Sequence, residues 1–223
     1  MSAVDEGALR RSIVETSLEM ERLGINQGTS GNVSARFNDG FLITPSGVAA
    51  REMHEDMMVW LPLDVSDDAS VLRTARPSSE WRIHRDILRA RQDMHAVVHT
   101  HSIAATALAI HGRDIPAVHY MVAAAGGHSI RCAPYALFGT QTLSDHALAA
   151  LLNRRACLLA HHGVIALGTD LARAVWLAHE VEVLAKQYLL ACQLGAPPLL
   201  SEEQMDEVLE KFKTYGRRDK KDS

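Results

Sequence analysis

Apolar residues at helical spacing mark the long helices of this chain. Between Leu9 and Leu23 they recur at helical spacing, and Gly24 then supplies a stop. The longest pattern of this kind covers residues 170–195, which begin with a capping aspartate and end with a glycine. Ser201 opens a last helix with Gln204 three residues on, which is a capping-box pattern. The sequence therefore predicts helices at both ends of the chain.

Three shorter segments also carry helical signals. Residues 102–112 and residues 144–155 predict helices, and Ser144 is interpreted as the N-cap of the second. The dipeptide Ser78-Ser79 opens a further helix that contains Glu80 just inside its first turn. Residues 115–127 are ambiguous, because their alanines favour a helix while the glycine pair at their end closes it.

Short apolar runs between turn signals predict the strands. Strands in residues 31–37 and 41–44 flank Asn38-Asp39-Gly40, a hairpin signal. Further strands are predicted in residues 57–64 and 96–101, and residues 157–168 predict strand, turn and strand. Residues 66–77 are interpreted as a polar connection. Helices interspersed among antiparallel-type strands predict a single α/β domain with a mixed or antiparallel central sheet.

Composition narrows the class of protein. A chain of 223 residues with 47% hydrophobic residues fits one domain with a substantial core. The net charge of −4 gives no reason to expect nucleic-acid binding, and no apolar run is long enough to span a membrane. Cys132, Cys157 and Cys192 are far apart in sequence, which argues against a disulfide framework and for a reducing compartment. We therefore expect a cytoplasmic protein.

Histidines at the ends of two apolar strands predict a metal site. His99 and His101 are two residues apart in an extended strand, so both side chains point to one face and can reach one ion. A second pair, His161 and His162, ends another apolar run, and only one of these adjacent residues should reach the ion. Three imidazoles with the carboxylate of Glu80 form a ligand set suited to Zn²⁺.

Three loops rich in small residues suggest an anion site beside the metal. They cover residues 28–32, 44–47 and 77–79, and each can present backbone N–H groups together with hydroxyls. The third loop also opens a helix and abuts Glu80. None of the loops matches a nucleotide-binding glycine motif, so the predicted anion is the phosphate of a small substrate.

The positions of the lysines limit the chemistry. All of them lie in the last two predicted helices or the tail: Lys186, Lys211, Lys213, Lys220 and Lys221. No lysine lies in an apolar strand, where burial would favour Schiff-base formation. If the substrate contains a carbonyl group, the metal must therefore act as the electron sink.

Five motifs taken in order resemble the class II aldolase/adducin family. They are G-T-S-G-N-V-S, L-I-T-P-S-G, P-S-S-E, H-T-H and H-H-G. The resemblance implies one domain over residues 1–216, with a central sheet sandwiched by helices, followed by a charged tail at 217–223. It also implies a homotetramer with active sites at subunit interfaces. The implied reaction is reversible cleavage of a ketose 1-phosphate into dihydroxyacetone phosphate and a small aldehyde.

The same resemblance assigns roles to individual positions. It makes Glu80 both a metal ligand and the catalytic base. The implied zinc ligands are Glu80, His99, His101 and His162. The implied phosphate-binding residues are Thr29, Gly31, Asn32, Ser46, Gly47, Ser78 and Ser79. Tyr120 and Tyr215 are implied acid/base groups for the aldehyde end, which Phe212 would help to bind, and all three would come from a neighbouring subunit.

Alternative functions stay open from the sequence. Within the family they are an aldolase for another short deoxyketose 1-phosphate and a 4-epimerase such as one acting on L-ribulose 5-phosphate. Those epimerases resemble P-S-S-D, with aspartate where this chain has Glu80. A zinc hydrolase would fit the metal ligands alone. A non-catalytic adducin-like interaction domain is less well supported, because every candidate ligand is present.

Overall fold

A mixed β-sheet forms the centre of the computed structural model, which describes residues 5–214. Within these residues the sheet has seven strands in the order β3-β2-β1-β4-β7-β6-β5. Their bounds are β1 Asn32–Phe37, β2 Gly40–Ile43, β3 Val59–Pro62, β4 Ala96–Thr100, β5 Cys132–Ala133, β6 Ala156–Leu159 and β7 Gly163–Gly168. The short β5 pairs with β6 in parallel, and the other neighbouring strands are antiparallel.

Helices cover both faces of this sheet. The bounds of the described helices are α1 Glu6–Arg22, α2 Ser70–Thr74, α3 Trp81–Ala90, α4 Ile103–Ile110, α5 Gln141–Ala150, α6 Leu171–Gln193 and α7 Glu202–Thr214. Short 3-10 segments occur at Ala50–Glu52, Glu55–Met57 and Tyr120–Ala125. One buried apolar cluster joins α1, α4, α6 and α7 to one face of the sheet, and a second joins α3 and α5 to the other.

The strand at the middle of the sheet shows how the two cores form. In β4, Val98 belongs to the cluster on one face and Val97 to the cluster on the other, because successive strand residues point in opposite directions. All five residues of β4 are buried. The predicted single α/β domain with a mixed sheet sandwiched by helices is therefore confirmed for the described residues.

Several local predictions are also confirmed. Asn38 adopts a left-handed conformation (φ 52°) between β1 and β2, as the predicted hairpin requires. At the start of α7, the Ser201 amide donates to the side chain of Gln204, and the Gln204 amide donates to the Ser201 hydroxyl. This reciprocal pair is the predicted capping box. Asp170 caps α6 by accepting a hydrogen bond from the amide of Arg173.

Other local predictions were wrong or incomplete. Helix α5 begins one turn earlier than predicted, because Thr140 is its N-cap and accepts from the amide of Leu143. Ser144 lies inside the helix, buried, and donates to the carboxylate of Asp86. The segment interpreted as a polar connection contains the short α2, and the ambiguous segment forms a 3-10 helix that ends at Gly126 (φ 95°). Glu80 immediately precedes α3 rather than lying inside it.

Two further predictions concern the ends of the chain and membranes. The predicted end of the domain at residue 216 and the charged tail at 217–223 lie outside the described residues. Within residues 5–214, none of the helices has the length and apolar character needed to cross a lipid bilayer.

Candidate metal centre and adjoining pocket

The central strand β4 places the first two candidate ligands. His99 is its penultimate residue, and His101 follows it by two positions on the same side of the chain. Their Nε2 atoms lie 2.9 Å apart. The Nδ1 atom of His99 lies 2.9 Å from the carbonyl oxygen of Val164 in the neighbouring β7. A carbonyl can only accept a hydrogen bond, so this contact places the His99 proton on Nδ1 and leaves the Nε2 lone pair for a metal.

The third histidine comes from the turn between β6 and β7. The rings of His99, His101 and His162 have centroids 4.8 to 5.0 Å apart, and one nitrogen from each lies within 4.8 Å of the others. His161 is turned away, in a left-handed conformation (φ 56°), with its ring 6.0 Å from that of Tyr135. The expectation that only one of this pair joins the group agrees with the geometry. The predicted reason, alternation along a strand, does not apply, because both residues lie in the turn between β6 and β7.

Glu80 completes the group from the loop before α3. Its Oε2 lies 3.1 Å from His99 Nε2, and its Oε1 lies 3.2 Å from His162 Nε2. Asn32 donates a hydrogen bond to Oε2 at 3.0 Å, whereas the buried Oε1 has no hydrogen-bond partner. Burial alone would raise the pKa of Glu80, but His99, His162 and the bond from Asn32 outweigh it and lower the pKa. The carboxylate is therefore ionised.

These four side chains fit a divalent metal ion. Burial lowers the pKa of His101 and of His162 to about 4, so both imidazoles are neutral at pH 7 and offer a lone pair. The Nε2 atoms of His99 and His101 face each other, and the buried Oε1 of Glu80 has no donor. A cation accounts for both observations, because it accepts lone pairs from several sides at once. Three imidazoles and one carboxylate are a ligand set typical of zinc.

Helix α4 is held in place directly after His101. The buried carboxylate of Glu182, in α6, accepts hydrogen bonds from the amides of Ala104 and Ala105 at 2.9 to 3.0 Å. These amides lie in the first turn of α4 and have no acceptor within the helix, so Glu182 satisfies them. Its negative charge is also favourable at a helix N-terminus. Glu182 thereby fixes the chain where β4 ends and His101 projects.

A chain of buried polar groups behind Glu80 was not predicted from the sequence. The Oδ1 atom of Asn32 contacts Nε2 of His84, and Nδ1 of His84 lies 2.7 Å from the hydroxyl of Ser34. Burial is the main reason that the pKa of His84 falls to about 3. The available sequence signal was the position of His84, one helical turn after Glu80 and on the same side of α3. Its two partners are 50 and 52 residues away.

A cavity of about 390 Å³ opens beside the metal group. Its lining includes all seven residues assigned to phosphate binding: Thr29, Gly31, Asn32, Ser46, Gly47, Ser78 and Ser79. Glu80, His101 and His162 also line it, so the metal group and the three small-residue loops share one space. The lining residues that the sequence did not indicate include Tyr135, Ala136 and Phe138. His161, the histidine that was not assigned as a ligand, also lines the cavity.

The side chain of Asn32 is already engaged within this cavity. Its amide nitrogen donates to Glu80 and its oxygen contacts His84. Hydrogen bonds to an anion in the cavity are therefore left to the neighbouring small residues. Ser78 belongs to this set, and its hydroxyl also accepts from the amide of Glu80.

Of the three residues assigned to the aldehyde end, Tyr120 and Phe212 do not line the cavity in the described structure. Tyr120 begins the 3-10 segment, is 49% exposed and packs against the ring of His119, and it is absent from the described lining of the cavity. Phe212 in α7 packs against the apolar cluster on the face of the sheet that α1, α4 and α6 cover. Tyr215 lies outside the described residues. The assignment of these residues to a neighbouring subunit stays a prediction.

The close packing around Gly163 explains why the H-H-G motif has a glycine at this position, and it supports a prediction. A Cβ atom at this position would lie 2.3 Å from the carbonyl oxygen of Thr100 and 2.9 Å from the ring of His101. We expect Gly163→Ala to destabilise the fold by about 1–3 kcal/mol, as overpacking does, and to weaken metal binding. Thermal unfolding and metal titration measure both effects.

A second glycine provides the control for this change. At Gly7, in α1, the nearest atom to an added Cβ is 3.6 Å away, so Gly7→Ala should leave stability and metal binding intact. Equal metal affinity in Gly163→Ala and the unaltered protein would contradict the proposed importance of this close approach.

Comparison with known proteins identifies the family of this chain and several similar proteins. The model of the "Class II Aldolase and Adducin N-terminal domain" matches residues 11–189. The chain is 52% identical to L-fuculose phosphate aldolase of Escherichia coli (strain K12), over 96% of this chain and 99% of that protein. It is 51% identical to 5-methylthioribulose-1-phosphate/5-deoxyribulose-1-phosphate aldolase of Rhodospirillum rubrum, over 94% of this chain and 93% of that protein.

Solved structures agree with these relatives. A structure of L-fuculose 1-phosphate aldolase superposes with a TM-score of 0.84 at 35% identity, covering 92% of this chain and 95% of that one. The family resemblance seen in the five motifs is thereby confirmed. Long segments such as residues 115–140 and 176–185 also resemble L-fuculose-1-phosphate aldolase within the family, and the 52% identity bears this out.

Proposed function

Because the chain belongs to the class II aldolase and adducin family and is an aldehyde-lyase, we propose that it is a zinc-dependent ketose 1-phosphate aldolase. The proposed reaction is reversible cleavage of a substrate of the L-fuculose 1-phosphate type. Its products are dihydroxyacetone phosphate and a small aldehyde, which is L-lactaldehyde when the sugar is L-fuculose.

One structural observation carries this proposal. The cluster of His99, His101 and His162 with Glu80 shares a cavity with three loops that offer hydroxyls and glycine backbone. A metal group next to an anion-binding surface suits a substrate with a carbonyl oxygen close to a phosphate. Dihydroxyacetone phosphate has this arrangement, which a simple hydrolase substrate would not require.

The residues divide the chemistry between them. The three histidines and Glu80 would hold the zinc ion, which supplies Lewis acidity for the negative charge that develops on the carbonyl oxygen. Ser46, Ser78 and neighbouring residues of the three loops bind the phosphate and fix the C1 end of the ketose. Glu80 delivers a proton to C3 after the C3–C4 bond breaks, and removes it again in synthesis. Tyr120 and Tyr215 are the candidates for moving the proton of the C4 hydroxyl.

A second aldolase substrate is favoured by a specific comparison. The Rhodospirillum rubrum relative, which acts on 5-methylthioribulose 1-phosphate and 5-deoxyribulose 1-phosphate, is almost as similar to this chain as the Escherichia coli enzyme is. These substrates share the phosphate end and differ beyond C4. The residues of the metal group and the phosphate loops therefore serve either substrate equally, and the aldehyde end makes the distinction.

Product analysis tests the proposed function. The protein is incubated with L-fuculose 1-phosphate, 5-deoxyribulose 1-phosphate, 5-methylthioribulose 1-phosphate and L-ribulose 5-phosphate, and the products are identified by NMR. We expect dihydroxyacetone phosphate from at least one of the first three. Only C4 epimerisation of the last would instead support the 4-epimerase, and no turnover of any by zinc-loaded protein would reject the aldolase proposal.

The proposal includes an assembly and a location. We place the enzyme in the cytoplasm as a homotetramer with active sites at subunit interfaces. Tyr135, Leu137 and Phe138 lie in one apolar loop and are each 58–61% exposed, and Tyr135 and Phe138 line the cavity. Cover from a neighbouring subunit would remove this apolar surface from water and bring Tyr120 of the neighbour toward the aldehyde end.

Tyr120→Phe separates the aldehyde step from the rest of the reaction. Without the phenolic hydroxyl, the C4 proton lacks its carrier, so we expect cleavage and synthesis to fall by roughly 10²–10⁴-fold. Exchange of the C3 proton of dihydroxyacetone phosphate with solvent should be nearly unchanged, because no aldehyde takes part. Both rates are measured on the same sample, by coupled assay and by NMR in D₂O.

The matched control for this variant is Tyr188→Phe, in α6, which removes a hydroxyl from a tyrosine that packs against the apolar core. It should leave both rates unchanged. Equal loss of cleavage and exchange in Tyr120→Phe would show that the residue supports the fold or the metal group instead.

A further inference from the structure

The hydrogen bonds behind Glu80 have only one consistent direction. An ionised carboxylate can only accept, so the group of Asn32 that lies 3.0 Å from Glu80 must be its NH₂. The oxygen of Asn32 therefore faces His84, and Nε2 of His84 must carry the proton that this oxygen accepts. Nδ1 of His84 is left as the acceptor for the hydroxyl of Ser34 at 2.7 Å.

This chain of contacts runs from the wall of the cavity into the buried interior of the protein. Ser34 and His84 are fully buried, and Asn32 and Glu80 are each 6% exposed. Burial also keeps the His84 imidazole neutral, with its pKa lowered to about 3. Glu80 holds only the NH₂ side of the Asn32 carboxamide, so without a second partner the oxygen end would keep some freedom to move. The contact to His84 removes that freedom, because the reversed amide would point its NH₂ at the N–H of His84.

We propose that His84 is a positioning residue that fixes the Asn32 carboxamide and, through it, the Glu80 carboxylate. The proposal rests on the role of Glu80 in the proposed function. It assigns the Oε2 atom of Glu80 to Asn32 and leaves the unpartnered Oε1 as the atom free to act at the metal or on a proton. His84 is not among the residues that line the cavity in the described structure.

Two amide variants of His84 form a matched pair. The side-chain nitrogen of glutamine reaches about as far as Nε2 of histidine, so His84→Gln keeps a donor toward Asn32 and loses the contact with Ser34. Asparagine reaches about as far as Nδ1, so His84→Asn keeps the contact with Ser34 and loses the donor. Ser34→Ala removes only the outer contact.

Kinetics of this set distinguish positioning from general support of the fold. We expect His84→Asn to lower kcat by about 10- to 100-fold with KM little changed. A loss of this size is typical when a residue that orients a metal ligand is replaced. His84→Gln should recover most of this loss, and Ser34→Ala should lie close to the unaltered protein. Equal kcat in His84→Asn and His84→Gln would overturn the proposal. Thermal unfolding of each variant confirms that folded samples are compared.

NMR tests the proposed hydrogen-bond direction without substrate and without a variant that has to fold. In the purified full-length protein labelled with ¹⁵N-histidine, His84 should be neutral with its proton on Nε2. A proton on Nδ1 alone would overturn the proposal, because Asn32 could not then be fixed as described. If the protein cleaves no ketose phosphate but shows the Nε2 proton, the proposed function fails while the hydrogen-bond arrangement stands.

Discussion

Glu80→Gln is expected to lower the rate of ketose 1-phosphate cleavage by roughly 10²–10⁴-fold, as removal of a general base does. Glutamine has nearly the same shape but cannot accept a proton at pH 7. It can still accept the hydrogen bond from Asn32 through its amide oxygen, so the fold should persist. Three histidines remain to hold the metal, so much of the zinc should be retained.

The measurement that isolates the role of Glu80 is proton exchange. Exchange of the C3 proton of dihydroxyacetone phosphate should fall in parallel with cleavage in Glu80→Gln. The matched control is Glu52→Gln, which makes the same change at an exposed position away from the cavity and should alter neither rate. If Glu80→Gln exchanges this proton as fast as the unaltered enzyme, the base is another group.

Replacing His99, His101 and His162 together with alanine is expected to abolish zinc binding and, with it, activity. The unaltered protein should bind close to one zinc ion per chain, and a chelator should remove activity reversibly. The reason is geometric: one nitrogen from each ring lies within 4.8 Å of the others, so the three rings are placed to bind one ion together. Metal analysis of purified protein measures the zinc content directly.

His161 supplies the control for the histidine replacement. Its ring faces Tyr135, and its backbone is left-handed, a conformation that asparagine tolerates well. His161→Asn should therefore retain most of the zinc. Full zinc retention in the triple variant would refute the assignment of the metal site.

The sequence predicted the grouping of the candidate metal ligands where local geometry controls it. The spacing of His99 and His101 in a strand was sufficient, since side chains two residues apart share a face. It could not choose between His161 and His162 by the same argument, because the chain turns there and His161 is left-handed. The family resemblance supplied that choice.

Long-range contacts were the part that sequence patterns missed. Ser144 is a good capping residue, but Thr140 is another, and the packing of α5 against α3 buries Ser144 beside Asp86. The position of His84 one helical turn after Glu80 could not identify its partners, because they lie on β1, some 50 residues earlier in the chain. For Tyr120 and Tyr215, only the resemblance suggests a role, because the subunit contact proposed for them would leave no periodic pattern in one chain.

Strand β7, whose Val164 carbonyl contacts His99, has a composition with a consequence for how the sheet assembles. Strand β7 is apolar on both faces, with Val164 and Ala166 in one core cluster and Ile165 and Leu167 in the other. Burial therefore penalises a slip of β7 along β4 only weakly, unlike in a strand with one polar face. A slip of one residue would move His162 by about 3.4 Å and separate it from His99 and His101. A metal bound by the three histidines would therefore stabilise only the native alignment, and refolding in its presence should reduce misaligned chains.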